Sequence, residues 1–442
     1  MKTYLDLLKK LISFKSVSTD PAFKPGIVKT VNWLEKLLKA NGFKVETASG
    51  FDNPIILASY IHNPSLKTCL IYGHYDVQPA FKEEGWFQDP FKLLVGEDRL
   101  YARGAVDNKG QITVHLASVF ALIKEKKLGY NIKFLIEGNE ETGSGKMEQY
   151  VDKYKKKLKA DFALISDGEL TQGLPVIELG YRGGFNTTLT IRTAGSDLHS
   201  GVFGGAAPSS AHVLVSLLAK LFNDDSRVTL PGFYDDVDEL PKHQPETVIN
   251  FDFDEYKRVT GAKAVLLADG EDYFLKTGLQ PTVQITGIKS GFSGGGYRNA
   301  IPAESTVKIN FRLVKSQDPK AVFSSLRKFI EVNVPDYADF VLELSDPYEG
   351  VKLKIDNEYV KKTVKVLEEA YSTKTVFKYV GGGLPIVTYF SEKLKIPVVS
   401  TPFANEDCNM HAVNENFLKS DLQKALKFSR IFLTKQPGHG KN

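Results

Sequence analysis

Apolar residues in this chain recur in two rhythms. They return every three or four positions over residues 4–14 and 28–40, the latter closed by Asn41-Gly42, which predicts two amphipathic helices. Continuous apolar runs at 55–61, 69–72, 131–137 and 162–166 predict buried strands, with helices over 109–126 and 146–159 between them. This alternation implies an α/β body whose sheet is mixed but largely parallel and flanked by helices. After Tyr181-Arg182-Gly183-Gly184 the rhythm changes, and 185–192 alternates apolar and polar as a half-exposed antiparallel strand does. A helix at 211–222, strands at 282–288 and 305–314, a helix at 319–332 and a strand at 340–344 follow. That order predicts an inserted α+β, ferredoxin-like two-layer unit. The first style then resumes, with a helix at 357–370, a strand at 396–400 and a final helix after His411. The expected division is therefore 1–183 and 350–442 as two parts of one domain, with 184–349 as the insert. The tail from Pro437 to Asn442 is expected to be disordered, and the chain contains no internal repeat.

Chemistry-bearing residues gather where the predicted strands end. Gly73 breaks an apolar run just before His74-Tyr75-Asp76, at the edge where open α/β sheets bind ligands. An imidazole there can bind a metal while the carboxylate two residues on fixes its orientation. Further acids follow in Gly104-Ala105-Val106-Asp107-Asn108-Lys109-Gly110, Glu137-Gly138-Asn139-Glu140-Glu141-Thr142-Gly143 and Ser166-Asp167-Gly168, and a late histidine in Met410-His411. Taken singly, Asp107 reads as a helix cap, Glu140-Glu141 as an exposed turn and Asp167-Gly168 as a turn dipeptide. Their joint occurrence at strand ends points instead to a binuclear site of N and O ligands. In the pair Glu140-Glu141, one carboxylate can bind metal while the other takes the proton of a water.

These segments, GHYDVQP, YARGAVDNKG, EGNEETGS, SDG, DLHSG and the late histidine, resemble in order those of the M20 metallopeptidases, in the carnosinase-like and cysteinylglycine-dipeptidase-like branch. The resemblance implies two divalent ions, zinc first and manganese or cobalt as alternatives. His74 and Asp167 would hold one ion, Glu141 and His411 the other, and Asp107 would bridge them through a cis Asp107–Asn108 peptide. It makes Glu140 the general base and gives Asp76 the task of orienting His74. It also implies a homodimer through the insert acting as a lid, with His199 reaching the partner's site to stabilise the oxyanion. Asn299 and Arg312 would hold the substrate's C-terminal carboxylate. Where the branch reads Arg-Glu-Gly-Gly-Ser-Ile-Pro, this chain reads Tyr379-Val380-Gly381-Gly382-Gly383-Leu384-Pro385. The arginine and the serine are missing, so only backbone amides such as that of Gly382 remain to meet an anion.

Composition narrows the function classes. A charge of +4 on 442 residues, without a dense basic stripe, argues against nucleic acid as partner. No apolar run approaches a membrane span, and the N-terminus reads as an amphipathic helix and not as a signal peptide. Two cysteines form no disulfide framework and fit a reducing, cytoplasmic setting. Three readings compete: a hydrolase of dipeptides or short peptides, a deacylase of N-acyl amino acids, and a non-catalytic dimeric binding protein. The intact Glu140 and ligand set argue against the last.

Overall fold

The structure is a computed structural model and describes residues 1–235, 237, 252–267 and 273–436; the expected disorder of the tail lies outside these. Its largest sheet has six strands, in the spatial order Lys44–Ala48, Ile55–Tyr60, Asn131–Glu137, Thr68–His74, Phe162–Ile165 and Val398–Ser400. The first two pairings are antiparallel and the remaining three parallel. Parallel neighbours need crossovers, supplied here by the helices Lys109–Lys124 and Met147–Leu158. The C-terminal ends of the three central strands therefore lie side by side.

Thr68–His74 is buried from Cys69 onward because both sheet faces are covered. Cys69 and Ile71 join the larger apolar cluster, beneath the helices Lys2–Ile12, Lys109–Lys124 and Lys419–Thr434. Leu70 and Tyr72 point the other way, toward Tyr150, Val151 and Phe390. The helix Lys109–Lys124 is buried on almost every side, which fixes where its first turn presents the preceding Asp107.

A second, antiparallel sheet runs Thr282–Ser290, Glu304–Leu313, Gly183–Arg192 and Asp339–Tyr348. Its apolar face (Phe185, Leu189, Val307, Ile309) packs with Leu214 and Leu217 of the helix Ser210–Leu221 and with Leu326 and Ile330 of Pro319–Asn333. The chain enters this sheet beside Tyr181 and leaves it beside Val351, which is that residue's register partner.

Several elements differ from expectation, among them three that border the two sheets. The strand predicted to end at 344 continues to Tyr348 through Pro347, because it lies at the sheet's edge, where a missing N–H is tolerated, and it bulges between Ser345 and Tyr348. The strand predicted from 396 starts only after Pro397, at Val398. Val176–Tyr181, which the apolar pattern leaves unassigned, is a buried strand paired with Val376–Val380.

Candidate metal centre

Gly73 is the last residue but one of the central strand, where a Cβ would press on Asn108 and Ile112, each 2.8 Å away. The next residue, His74, is fully buried. Its Nδ1 donates to the Asp76 backbone carbonyl at 3.1 Å and lies 3.4 Å from Asp76 Oδ1. Asp76 Oδ2 accepts from the Glu141 backbone N–H at 3.1 Å. Asp76 thus meets the imidazole through its backbone carbonyl and anchors the Glu-Glu turn through its carboxylate. Gly138 admits the Tyr75 ring where a side chain would overlap it, closing these two segments on each other.

With Nδ1 engaged, His74 Nε2 faces Asp107 Oδ1 at 3.1 Å, Asp167 Oδ2 at 3.6 Å and Glu140 Oε2 at 3.9 Å. The other oxygen of Asp107 lies 2.8 Å from His411 Nε2, which is 3.2 Å from Glu141 Oε2. Gln78 holds Glu141 through its backbone N–H at 3.0 Å and its side-chain amide at 2.7 Å. The Asp107–Asn108 peptide is cis, and Asn108 Nδ2 donates to the Ser166 carbonyl at 2.8 Å, tying this turn to the segment carrying Asp167. Two ligand groups result, His74–Asp107–Asp167 and Asp107–Glu141–His411, each with its donor atoms within 4.8 Å of one another. Asp107 belongs to both.

Electrostatics test whether a cation fits. His74 Nε2 and Asp76 Oδ1 are buried without a hydrogen-bond partner: carboxylates surround Nε2, yet none is aligned to accept from it. An imidazole nitrogen buried among carboxylates without a hydrogen-bond partner is placed as a metal ligand is. Burial pushes the Glu140 carboxyl well above its usual range, and Asp167, Asp107 and Glu141 add to the shift. Burial and Asp107 likewise raise Glu141. Burial would raise Asp107 too, but the hydrogen bond from His411 and the His74 imidazole beside it prevail and hold it well below the carboxylate range. The set of imidazole nitrogens and carboxylate oxygens suits zinc, manganese or cobalt.

Hydrogen bonds that His411 donates to Asp107 and Glu141 push its pKa from 6.5 up to about 10, so without ions it is protonated at neutral pH. Ions bind the neutral imidazole, so loading the site should release protons, and affinity should rise with pH across the neutral range. Calorimetry in buffers of different ionisation enthalpy measures this release; ion uptake without protons, at constant affinity from pH 6 to 8, would contradict the arrangement. In the ion-free chain the raised His411 stabilises the fold fully below about 6.5, and this contribution fades as pH rises toward 10.

The other expected site residues lie outside the two groups. His199 is exposed, its Nδ1 accepting from the Gly201 N–H at 3.0 Å. It pairs with Ala300, and the carbonyl of the exposed Asn299 accepts from Ser200 at 3.1 Å, so both share one ribbon. Arg312 is half-buried and donates to the Tyr348 hydroxyl at 2.8 Å. Gly382 is exposed, and its carbonyl accepts from the Arg182 N–H at 3.1 Å. The Arg182 guanidinium donates through Nε to the Gly381 carbonyl and through Nη1 to that of Gln280. Tyr379 packs against Gly278. At Gly383 a Cβ would lie 2.5 Å from Tyr348 Cε2 and closer still to the hydroxyl, so the phenol stands where a serine side chain would begin. Burial raises the Tyr348 pKa, and the charge of Glu140 adds to the shift, which brings the phenol within reach of the centre's field.

Sequence reasoning missed Gln78, Tyr348 and Glu415. Gln78 was visible in GHYDVQP; the other two carry no local signal, since their partners are distant in sequence.

Residues 70–435 match the model of peptidase family M20/M25/M40. The chain is 30% identical over 449 residues to the Cys-Gly metallodipeptidase DUG1 of Candida albicans, covering 93% of this chain and 90% of that protein. It is 30% identical over 390 residues to the human Beta-Ala-His dipeptidase, covering 86% and 77%. Among solved structures it is similar to the M20 family metallo-carboxypeptidase Sso-CP2 from Sulfolobus solfataricus, with a TM-score of 0.89 and 30% identity over 98% of this chain and 99% of that one. Human carnosine dipeptidase 1 is also similar, with a TM-score of 0.85 and 27% identity over 98% and 96%.

Proposed function

The chain belongs to peptidase family M20/M25/M40 and is a metallopeptidase, and on that footing we propose that it hydrolyses dipeptides or short peptides at a centre of two divalent ions. The observation that carries this reading is the shared Asp107, whose two oxygens face the histidines of two separate ligand groups. His74 and Asp167 would hold one ion, Glu141 and His411 the other, with zinc as the ion and manganese or cobalt as alternatives. When bound, the ions supply the positive charge that acidifies a water and polarises the scissile carbonyl. Glu140 belongs to neither ligand group, and its burial among carboxylates gives it proton affinity. It takes the water's proton and returns it to the leaving amine. Asp76 keeps the His74 ring oriented throughout.

Residues 184–349 serve as lid and dimerisation unit between the catalytic parts 1–183 and 350–442. The exposure of His199 supports its delivery to the partner subunit's centre, where it donates to the developing oxyanion. Arg312, Asn299 and the Gly382 amide hold the substrate's C-terminal carboxylate. Among the described residues no helix is long and apolar enough to cross a membrane, and the buried free thiols Cys69 and Cys408 suit a cytoplasmic setting.

The absence of arginine at Tyr379 and of serine at Gly383 favours a second reading, deacylation of N-acyl amino acids at the same centre. Hydrolysis of matched dipeptides, tripeptides and N-acetyl amino acids, with zinc, manganese or cobalt supplied, separates the two. Dipeptides should give the highest kcat/KM. A preference for N-acetyl amino acids would favour the deacylase, and ion uptake without any hydrolysis would favour a binding protein. His199→Ala should lower kcat with ion content unchanged. Mixing it with a metal-site variant should restore activity in mixed dimers, up to the fraction carrying one intact composite site; no recovery would exclude a residue supplied across subunits.

A further inference from the structure

Glu415 lies four positions after His411, is wholly inaccessible to water and has no role in the reaction as proposed. Its Oε2 accepts from Arg103 Nη1 and from the Gly104 N–H, both at 2.9 Å. Its Oε1 accepts from the Val106 N–H at 2.9 Å and from the Asp107 N–H at 3.1 Å. Every donor belongs to the segment from Arg103 to Asp107, which wraps the carboxylate as successive backbone amides wrap an anion. Gly104, at φ +83°, makes the turn that aims two of these amides inward. The Ala102 N–H adds a bond to the Glu415 carbonyl at 3.1 Å.

We propose that Glu415 is the positioning residue of the metal centre: its carboxylate is the template on which the Asp107 segment folds, and it locks that segment to the one bearing His411. The reason is geometric. Asp107 can face His74 at 3.1 Å and His411 at 2.8 Å only if its own backbone is held still, and its N–H is bonded to Glu415. His411 shares a short segment with the same glutamate, so one side chain sets the spacing between two loops that meet at the bridge. Charged hydrogen bonds in a site without water are strong and directional, and a neutral side chain cannot replace all four. Glu415 touches neither substrate nor ion in this scheme and acts through Asp107.

The inference rests on the two-metal reading, and the test keeps the two apart. In Glu415→Gln one acceptor oxygen becomes an amide donor facing N–H groups. Cobalt titration of the whole enzyme, followed by visible absorption and chelator competition, reads ion number, affinity and ligand geometry. Thermal unfolding with and without cobalt reads the ion-induced rise in Tm. The wild type should take up two ions. The variant should bind at least one of them about 10–100-fold more weakly, with altered absorption bands and a smaller ion-induced rise in Tm. A variant with wild-type affinity, bands and ion-induced rise, altered only in its ion-free Tm, would overturn the inference and leave Glu415 a structural residue. A wild type that takes up no second ion overturns the two-metal reading, and this inference with it. Should Glu415→Gln fail to fold, Arg103→Lys disturbs one of the four donors. It should weaken cobalt binding in the same direction but less, and unchanged binding would overturn the proposal.

Discussion

Glu140→Gln should lower kcat by about 10²–10⁴-fold, the usual worth of a positioned general base, while both ions stay bound. That loss corresponds to about 3–5 kcal/mol of transition-state stabilisation, at about 1.36 kcal/mol per tenfold. The split between turnover and ion content follows from position. Glu140 Oε2 approaches His74 Nε2 only to 3.9 Å, and neither ligand group includes it. Its neighbour Glu141 lies 3.2 Å from His411 and is held by Gln78 through both oxygens. Two adjacent carboxylates are thereby turned to different partners, with Asp76 holding the backbone between them. Steady-state kinetics with elemental analysis of the same preparation decides the matter. Turnover within tenfold of wild type removes Glu140 as the base, and loss of an ion would make it a ligand.

Asp107→Asn should have the largest effect on ion binding, since it removes the one charged group common to both positions. Affinity for each ion should fall by more than the roughly 10–100-fold that altering an outer hydrogen-bond partner costs. Asp167→Asn and His411→Gln should each weaken one ion and spare the other. The ion-induced rise in Tm offers an independent reading: about 2.7 kcal/mol of stabilisation is expected at an ion concentration 100 times Kd, and most of it should vanish in Asp107→Asn. The same variant removes a main cause of the raised His411 pKa, so proton release on ion addition should shrink as well. Independent loss of a single ion in Asp107→Asn would show that the two positions are not bridged.

What could be read from the sequence was mostly what neighbours in sequence determine. Apolar runs ending in Gly-His or followed by acids mark strand ends, and parallel pairing sets the ends of Thr68–His74, Asn131–Glu137 and Phe162–Ile165 along one edge. Strand position therefore brings out His74, Glu140, Glu141 and Asp167, while the parts given to Asp107 and His411 rest on the resemblance to the M20 motifs. Gln78 holding Glu141, Glu415 gathering the 103–107 amides, and Tyr348 resting on Gly383 were not legible, because each depends on contacts between segments far apart in the chain. The strand Val176–Tyr181 was missed for a related reason. It carries Glu178, buried with a hydrogen bond from Ser400 at 2.7 Å, so its polarity is satisfied only by the folded partner. Pro347 misled in the opposite direction, since it stops a central strand but not an edge strand.

The contact between Tyr348 and Gly383 also limits how this chain can vary. The phenol occupies the volume any side chain at 383 would need, and Arg312 holds its hydroxyl in place. A serine at 383 alone collides with the ring, and a smaller residue at 348 alone leaves Arg312 without its acceptor and a gap above the glycine. The two positions, 35 residues apart in sequence, thus share one volume at the end of the second sheet, and a side chain at 383 has room only where the phenol gives way.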